Sequence, residues 1–195
     1  METYLTIKES KEAELTEQRS RFLSYVSPAA NKEEADAFLD RIRAMHPQAT
    51  HVCWAYQIGA PDNPTSYYSD DGEPSGTAGQ PILQSLKQKE LQNVVLAVVR
   101  YFGGIKLGVR GLIDTYRAAA LNVLETCQTI EERAKEELAF SCSYPAYNTL
   151  LYKVEQMEGN IVSPTFGEKI EGRIIIPRVK RQELENILSD LNGRR

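Results

Sequence analysis

The sequence of 195 residues has few of the side chains from which metal centres and disulfide frameworks are built. It contains two histidines, His46 and His51, and three cysteines, Cys53, Cys127 and Cys142. Two histidines are too few for a histidine-rich metal site or for a triad with several candidate bases. No C-x-x-C pair occurs, which argues against a structural zinc and favours reduced thiols in a cytosolic chain.

Long apolar runs and an excess of positive charge are also missing. No stretch approaches the roughly 20 apolar residues of a membrane span, and the charged first twenty residues are unlike a signal peptide or anchor. We therefore expect a cytoplasmic protein with no membrane association. Because the formal net charge is −4, any nucleic-acid binding must use a local cationic patch.

The hydrophobic pattern of the first part predicts a mixture of strands and helices. Strand-like segments, rich in β-branched, aromatic or apolar residues, occupy 14–18, 21–26, 50–59 and 93–101. A capping box of Asn31 and Glu34 begins a helix that ends at Pro47, with apolar positions through Met45. Further helices are predicted from Pro81 and over 112–124. Residues 65–80 are predicted to form a long loop, because glycines and a proline interrupt them.

The pattern changes after a charged link at 131–137. Strands at 138–143, 161–166 and 172–177 alternate with helices at 145–158 and 181–191, in the order β-α-β-β-α. This order is most of a ferredoxin-like split βαβ module. We therefore predict an α+β protein with two domains, 1–131 and 132–195.

Residues 70–79, here the acidic loop, gather three carboxylates and two hydroxyls: Asp70, Asp71, Glu73, Ser75 and Thr77. These oxygens are suited to Mg²⁺ binding or to acid–base chemistry. The spacing fits no EF-hand loop, however, and the aspartates are equally suited to turns and helix caps. A third possibility is that opposite charges hold the loop against Arg100 or Lys106.

Residues 100–111, here the glycine turn, join a buried strand to a helix. Gly103, Gly104 and Gly108 would let the backbone approach an anion at the helix start. Neither the P-loop nor the dinucleotide motif is present, so the glycines are equally consistent with a tight turn and close packing.

The eighteen residues from 100 to 117 are locally basic. Arg100, Lys106, Arg110 and Arg117 accompany a single acidic residue, Asp114. With Tyr101 and Phe102 adjacent, this composition is typical of a groove for single-stranded nucleic acid. The alternative is a solvated helix face, with Arg100 paired internally. Among candidate reactive side chains, His51 is either a site residue or a half-exposed residue at a strand end, and Cys53 is expected to pack inside a strand.

Two long stretches, YSDDGEPSGTAGQPIL at 68–83 and VVRYFGGIKLGVRGLIDTYRAAA at 98–120, closely resemble the signature of the IMPACT/YigZ family. ATHVCWAY at 49–56 and QRSRF at 18–22 are similar to its other recurrent stretches. The resemblance implies a two-layer α/β first domain like the second domain of a small-subunit ribosomal protein and RNase PH. It also implies a ferredoxin-like second domain similar to domain V of elongation factor G.

The resemblance further implies a link to translation. Eukaryotic members of the family act in translational control by binding a large ribosome-associated regulator, and nucleic-acid binding has been suggested for bacterial members. The positions that match the family's motifs are Arg19, Arg21, His51, Asp70, Asp71, Gly72, Glu73, Pro74, Ser75, Thr77, Gly79, Arg100, Phe102, Gly103, Gly104, Lys106 and Gly108. The chain departs from the family pattern at Val109, Arg110 and Asp114.

Three hypotheses follow. The first is a translation-linked binding protein that recognises RNA, the ribosome or a ribosome-associated regulator through the acidic loop and the glycine turn, including Arg110. The second is an enzyme acting on a phosphate-containing substrate, with Mg²⁺ on Asp70, Asp71 and Glu73 and the phosphate at Lys106. The third is a protein-binding adaptor without nucleic-acid contact. We assign no catalytic residue, no cofactor and no resident metal.

Overall fold

A computed structural model describes residues 2–60 and 62–193, which fall into two compact units: residues 4–132, and residues 133–193 together with residues 2–3. The first contains most of β1 (Thr3–Ile7) and β7 (Thr129–Arg133), which pair with each other. Its other elements are β2 (Lys11–Glu17), β3 (Ser20–Pro28), α1 (Lys32–Met45), β4 (His51–Ile58), β5 (Thr65–Ser69), α2 (Gly79–Gln88), β6 (Val94–Tyr101) and α3 (Gly108–Glu125).

The first unit is built on a five-stranded antiparallel sheet of order β2-β3-β6-β4-β5. The central strand is β6, whose residues 94–100 are all buried, as its continuous apolar run predicts. Because successive side chains of a strand point to opposite faces, Val94, Leu96 and Val98 pack with α2 and α3, while residues 95, 97 and 99 pack with α1. The predicted α+β class is confirmed, and α1 adds a layer on the face opposite α2 and α3.

Several elements form where short-range sequence patterns predict them. The side chain of Asn31 accepts a hydrogen bond from the Glu34 amide at 2.9 Å, so the predicted cap begins α1. The strands predicted at 14–18 and 21–26 correspond to β2 and β3, which pair as a hairpin with Leu15 opposite Phe22. Met45, assigned to the apolar face of α1, is instead 55% exposed, because it lies in the last turn beyond the part that the sheet covers.

Two other expectations were wrong, and one strand was missed. Residues 65–69 form the edge strand β5 rather than loop, since the glycines that interrupt the segment begin only at Gly72. The charged link at 131–137 is mostly strand: it contains the end of β7 and the start of β8 (Lys135–Cys142), whose three consecutive charged residues lie at exposed or half-buried positions of the sheet. The strand β1 was not predicted at all.

The second unit has the predicted β-α-β-β-α order, with a short 3-10 helix before the last helix. Its elements are β8 (Lys135–Cys142), α4 (Tyr144–Gln156), β9 (Asn160–Phe166), β10 (Ile170–Pro177), the 3-10 helix (Arg178–Lys180) and α5 (Arg181–Gly193). The strand β10 lies between β8 and β9 and is antiparallel to both. Leu150, Val154, Ile174 and Leu184 belong to its core. This is the split βαβ arrangement. No helix in the described part of the chain is long and apolar enough to cross a membrane.

Candidate functional site

Asp70 organises the acidic loop by accepting backbone hydrogen bonds. Its Oδ1 accepts from the amides of Ala78 (3.0 Å) and Gly79 (2.9 Å), and its Oδ2 accepts from the amide of Gly76 (2.8 Å). Ala78, the N-cap residue of α2, provides no side-chain cap of its own. Asp70 therefore acts as the helix cap from the end of β5, where a negative charge also favours the helix dipole.

Asp71 and His51 join the loop to β4. The Asp71 Oδ2 accepts a hydrogen bond from the Val52 amide at 2.6 Å, and the His51 Nδ1 donates to the Asp71 carbonyl oxygen at 2.7 Å. A carbonyl can only accept, so Nδ1 carries the proton. The other ring nitrogen, Nε2, lies 4.0 Å from Glu73 Oε2. The half-buried His51 is therefore oriented towards Glu73.

Glu73 and Arg100 form a buried ion pair. The Arg100 Nη1 donates to Glu73 Oε1 at 2.6 Å, and the two side chains are 6% and 4% exposed. The Tyr116 hydroxyl donates to the same oxygen at 2.8 Å. The expectation that the loop is held against Arg100 by opposite charge is confirmed.

The ion pair lies next to a cluster of buried polar atoms that includes the thiol of Cys53. The Cys53 Sγ lies 3.0 Å from the Asp70 carbonyl oxygen and 3.4 Å from the Tyr116 hydroxyl oxygen. Burial raises the pKa of the Cys53 thiol and the pKa of the Tyr116 phenol far above their ordinary values. Both side chains therefore stay neutral, and Cys53 packs rather than reacts.

Arg100 keeps unused hydrogen-bonding capacity. Its guanidinium lies over the rings of Phe22 and Phe102, at 5.5 Å from each centroid. Its Nε is buried and has no hydrogen-bond partner. Two aromatic rings and one carboxylate thus fix the guanidinium while one donor remains unsatisfied.

The geometry is unfavourable to the magnesium hypothesis. Asp70 is engaged by backbone amides, Asp71 by the Val52 amide and Glu73 by Arg100 and Tyr116. Within residues 2–60 and 62–193, no group of three histidine, cysteine or carboxylate side chains is arranged to hold a metal ion. The carboxylates therefore serve as a frame, and the hypothesis that they hold Mg²⁺ together is wrong for this arrangement.

In the glycine turn, Gly103 and Gly108 have different roles. A Cβ at Gly103 would lie 2.1 Å from the Arg19 carbonyl carbon and oxygen, so the tip of the β2–β3 hairpin packs directly on it. Its amide also donates to Ser20 Oγ at 3.1 Å. Gly108 has φ +71° with open space around it and follows Leu107 in the right-handed region. This alternation turns successive amides towards one side, as in anion-binding nests.

The start of α3 is open. No side chain caps the helix, and its first turn contains no acidic residue. The first amides of a helix lack intrahelical acceptors and carry partial positive charge, so this end favours an anion. Lys106, two residues before α3, is exposed and makes no ion pair with any residue that the structure describes.

These features line one cleft of about 450 Å³. We use the term cleft for this cavity, which is lined by His51, Glu73, Arg100, Phe102, Lys106 and Gly108, with Thr50, Pro74, Leu107, Val109 and Leu112. All of them belong to the first unit. The cleft thus combines apolar walls with a basic side, formed by Lys106 and the helix start.

Other predicted site residues lie outside this cleft. Arg21 pairs with Glu14 at 2.8 Å, and Arg110 pairs with Asp114 at 2.9 Å. Arg19 lies at the tip of the β2–β3 hairpin, Ser75 is exposed, and Gly104 has φ +88° in open space. Thr77 is buried, with its hydroxyl donating to the Pro74 carbonyl at 2.7 Å. Of the four cations singled out between residues 100 and 117, Arg100 and Lys106 line the cleft.

Sequence reasoning missed the polar role of Tyr116 and the place of Thr50. Tyr116 lies within the helix predicted over 112–124, and helical spacing cannot indicate that its hydroxyl reaches Glu73. Thr50 accepts a hydrogen bond from the Phe102 amide at 3.0 Å and so fixes the start of the glycine turn. The available signal was a threonine at the first position of the strand predicted over 50–59.

Comparison with known proteins identifies the family. The profile of the Impact N-terminal domain matches residues 18–124. IMPACT family member YvyE of Bacillus subtilis (strain 168) is 32% identical over 195 residues, which cover 100% of this chain and 89% of that protein. IMPACT family member YigZ of Escherichia coli (strain K12) is 33% identical over 175 residues, or 89% and 86% of the two chains.

A solved crystal structure of a hypothetical protein has the same overall fold. It is 31% identical and superposes with a TM-score of 0.82, covering 97% of this chain and 93% of the other. The acidic loop and the glycine turn both lie inside the matched Impact N-terminal domain. The chain therefore belongs to the IMPACT family.

Proposed function

We propose that this chain is a translation-linked binding protein that recognises RNA, on or off the ribosome, through the cleft and its basic side. The observation that supports this most is the open start of α3 beside the exposed Lys106, which makes no ion pair with any described residue. Such a helix start and a lysine are both suited to a phosphate group. The proposed link to translation rests on the family resemblance.

The charge distribution favours RNA contact at a small cationic area over contact across a wide surface. The net charge of the chain is −4, and the pairing of Arg21 and Arg110 with Glu14 and Asp114 reduces their positive field. A phosphate therefore meets favourable charge mainly at Lys106 and the start of α3. The acidic loop has a structural role in this proposal, because the carboxylates of Asp70, Asp71 and Glu73 already accept hydrogen bonds from protein groups.

The test is the salt dependence of RNA affinity, measured by fluorescence anisotropy with a labelled single-stranded RNA of mixed sequence. We expect Lys106→Ala to weaken binding several-fold and to make the slope of log K against log salt shallower by about 0.7. Lys89→Ala is the matched control, since Lys89 is also exposed and lies just after α2. An RNA affinity that Lys106→Ala leaves unchanged would overturn the proposal.

A ribosome-associated regulatory protein is the alternative partner that the resemblance implies. Pull-down with the full chain, with and without nuclease treatment, separates the two partners. Association with ribosomes that nuclease abolishes supports RNA recognition. Association that persists after nuclease, and that Lys106→Ala leaves intact, supports the protein-binding adaptor instead.

A further inference from the structure

The cleft has an aromatic side in addition to its basic side. Phe102 is 46% exposed, although it follows the buried strand β6 directly. The guanidinium of Arg100 lies over its ring at 5.5 Å, and the backbone amide of Phe102 is held by Thr50 Oγ1 at 3.0 Å. The ring is therefore held in place while nearly half of its surface faces solvent. Exposed, fixed aromatic rings are the platforms on which single-stranded nucleic acids stack their bases.

The basic side of the cleft offers several donors to one phosphate group. Lys106 is exposed beside the nest at Leu107 and Gly108, and the 18-residue helix α3 starts there without a cap. Arg100, with its side chain 94% buried, lines the same cleft and has a buried Nε without a partner. This unsatisfied donor belongs to a side chain that lines the cleft, is independent of the helix start, and favours a polar ligand there.

Glu73 lines the cleft as well, but it does not oppose an anion strongly. Its side chain is 4% exposed, and its Oε1 accepts from both Arg100 and Tyr116. The charge of Arg100 balances that of Glu73, so Lys106 supplies the net positive charge. The volume of about 450 Å³ lies in the range of about 300–1,000 Å³ typical of small-ligand pockets.

We propose that the cleft binds one nucleotide unit, with the base stacked on Phe102 and the phosphate at Lys106 and the start of α3. This inference deepens the proposed function, because a single-stranded RNA supplies such units. A free mononucleotide offers the same chemistry. The apolar side chains of Leu107, Val109 and Leu112 line the remaining wall and suit the base and sugar carbons.

The test is an NMR titration of the ¹⁵N-labelled full chain with adenosine 5′-monophosphate, adenosine or inorganic phosphate. We expect the monophosphate to shift the amide signals of Leu107, Gly108 and Val109 saturably, and to bind more tightly than either adenosine or phosphate. Phe102→Leu is expected to weaken monophosphate binding at least about fivefold and to leave phosphate binding unchanged. Phe102→Tyr keeps an aromatic ring and is expected to retain binding.

Phe166→Leu is the control for removing an exposed ring, since Phe166 is 62% exposed on β9 of the other unit. Thermal melts followed by circular dichroism establish whether Phe102→Leu is folded; if it is not, the comparison of monophosphate with phosphate and adenosine on the unsubstituted chain provides the test. Equal affinity for monophosphate and phosphate, or unchanged affinity in Phe102→Leu, would overturn the nucleotide site.

The same variants separate this inference from the proposed function. RNA binding that depends on Lys106 but not on Phe102 contradicts the nucleotide site and leaves the proposed function intact. Monophosphate binding that depends on Phe102, without any affinity for single-stranded RNA, supports the nucleotide site and contradicts RNA recognition. A tri- or tetranucleotide that binds more tightly than the monophosphate, with the same Phe102 dependence, identifies the unit as part of a strand.

Discussion

The ion pair between Glu73 and Arg100 is the part of the site most sensitive to single substitutions. Both charges are almost completely buried, so removing one leaves the other without compensation. We expect Glu73→Ala to lower the free energy of unfolding by about 3–5 kcal/mol, measured by urea denaturation. Asp36→Ala, which removes the exposed pair with Lys32, should cost less than about 1 kcal/mol. A similar loss in both variants would contradict the structural role of Glu73.

Two neighbouring glycines provide a matched test of backbone packing. The Cβ of Gly103→Ala would lie 2.1 Å from the Arg19 carbonyl group, so the hairpin must move. Gly104→Ala meets no atom within 4 Å and bears only the strain of φ +88°. We expect a loss of about 1–2 kcal/mol for Gly104→Ala and a clearly larger loss for Gly103→Ala, both from chemical denaturation. The reverse order would show that the β2–β3 hairpin does not rest on Gly103.

His46 makes stability depend on pH. Its two ring nitrogens each lie 2.9 Å from a tyrosine hydroxyl, of Tyr101 and of Tyr25, and burial lowers the pKa of His46 despite the opposite influence of Glu12. The unfolded chain therefore binds this proton more readily than the folded chain does. The stabilising contribution is complete above the unfolded pKa of about 6.5 and is lost as pH falls through the folded pKa.

NMR titration of the imidazole signals measures this effect directly. We expect the His46 resonance to titrate below pH 6.5 and the free energy of unfolding to decline over the same interval. His46→Gln should abolish that part of the pH dependence. A folded-state pKa above 6.5 would contradict the role of burial. Assignment is straightforward, because the chain has two histidines.

At the scale of elements, α2 depends on a cap from the preceding strand. Asp70 accepts hydrogen bonds from three amides around the start of α2, whose Ile82 and Leu86 are fully buried. We expect Asp70→Ala to lower the free energy of unfolding by about 2 kcal/mol. Asp70→Asn should rescue little, because its amide group would place a second donor against a backbone N–H. Asp40→Ala on α1, a highly exposed position, should have little effect.

Helices and strands were predicted well from the sequence where a short-range pattern agreed with the burial or capping of the same residues in the fold. The apolar run of β6 and the capping box of α1 are of this kind, since burial and capping are set within a few residues. The edge strands β1, β5 and β7 were missed because their half-exposed patterns resemble loops. The approach of the acidic loop to Arg100 followed from charge. The hydrogen bond from the Tyr116 hydroxyl to Glu73 could not be predicted, because a helical pattern specifies which face is buried but not which polar atoms meet there.

At the scale of the whole molecule, the charge of the chain limits how it can hold RNA. The net charge is −4, so electrostatic attraction over a wide surface is absent, and binding must depend on few phosphate contacts. Lys106 is an exposed cation of the cleft with no ion-pair partner among the described residues. Arg19 at the hairpin tip and Arg117 on α3 are exposed cations of the same unit.

These three cations limit the number of phosphate contacts, and therefore the salt dependence of RNA affinity. One to three contacts predict a slope of log K against log salt between about −0.7 and −2 for single-stranded RNA. Fluorescence anisotropy at increasing sodium chloride concentration measures it, with the protein concentration and the RNA held constant. A slope steeper than about −4 would require many more phosphate contacts than the cleft and its neighbouring cations provide. In that case the RNA would be held by another surface, and the assignment of binding to the glycine turn would be wrong even if the affinity were high.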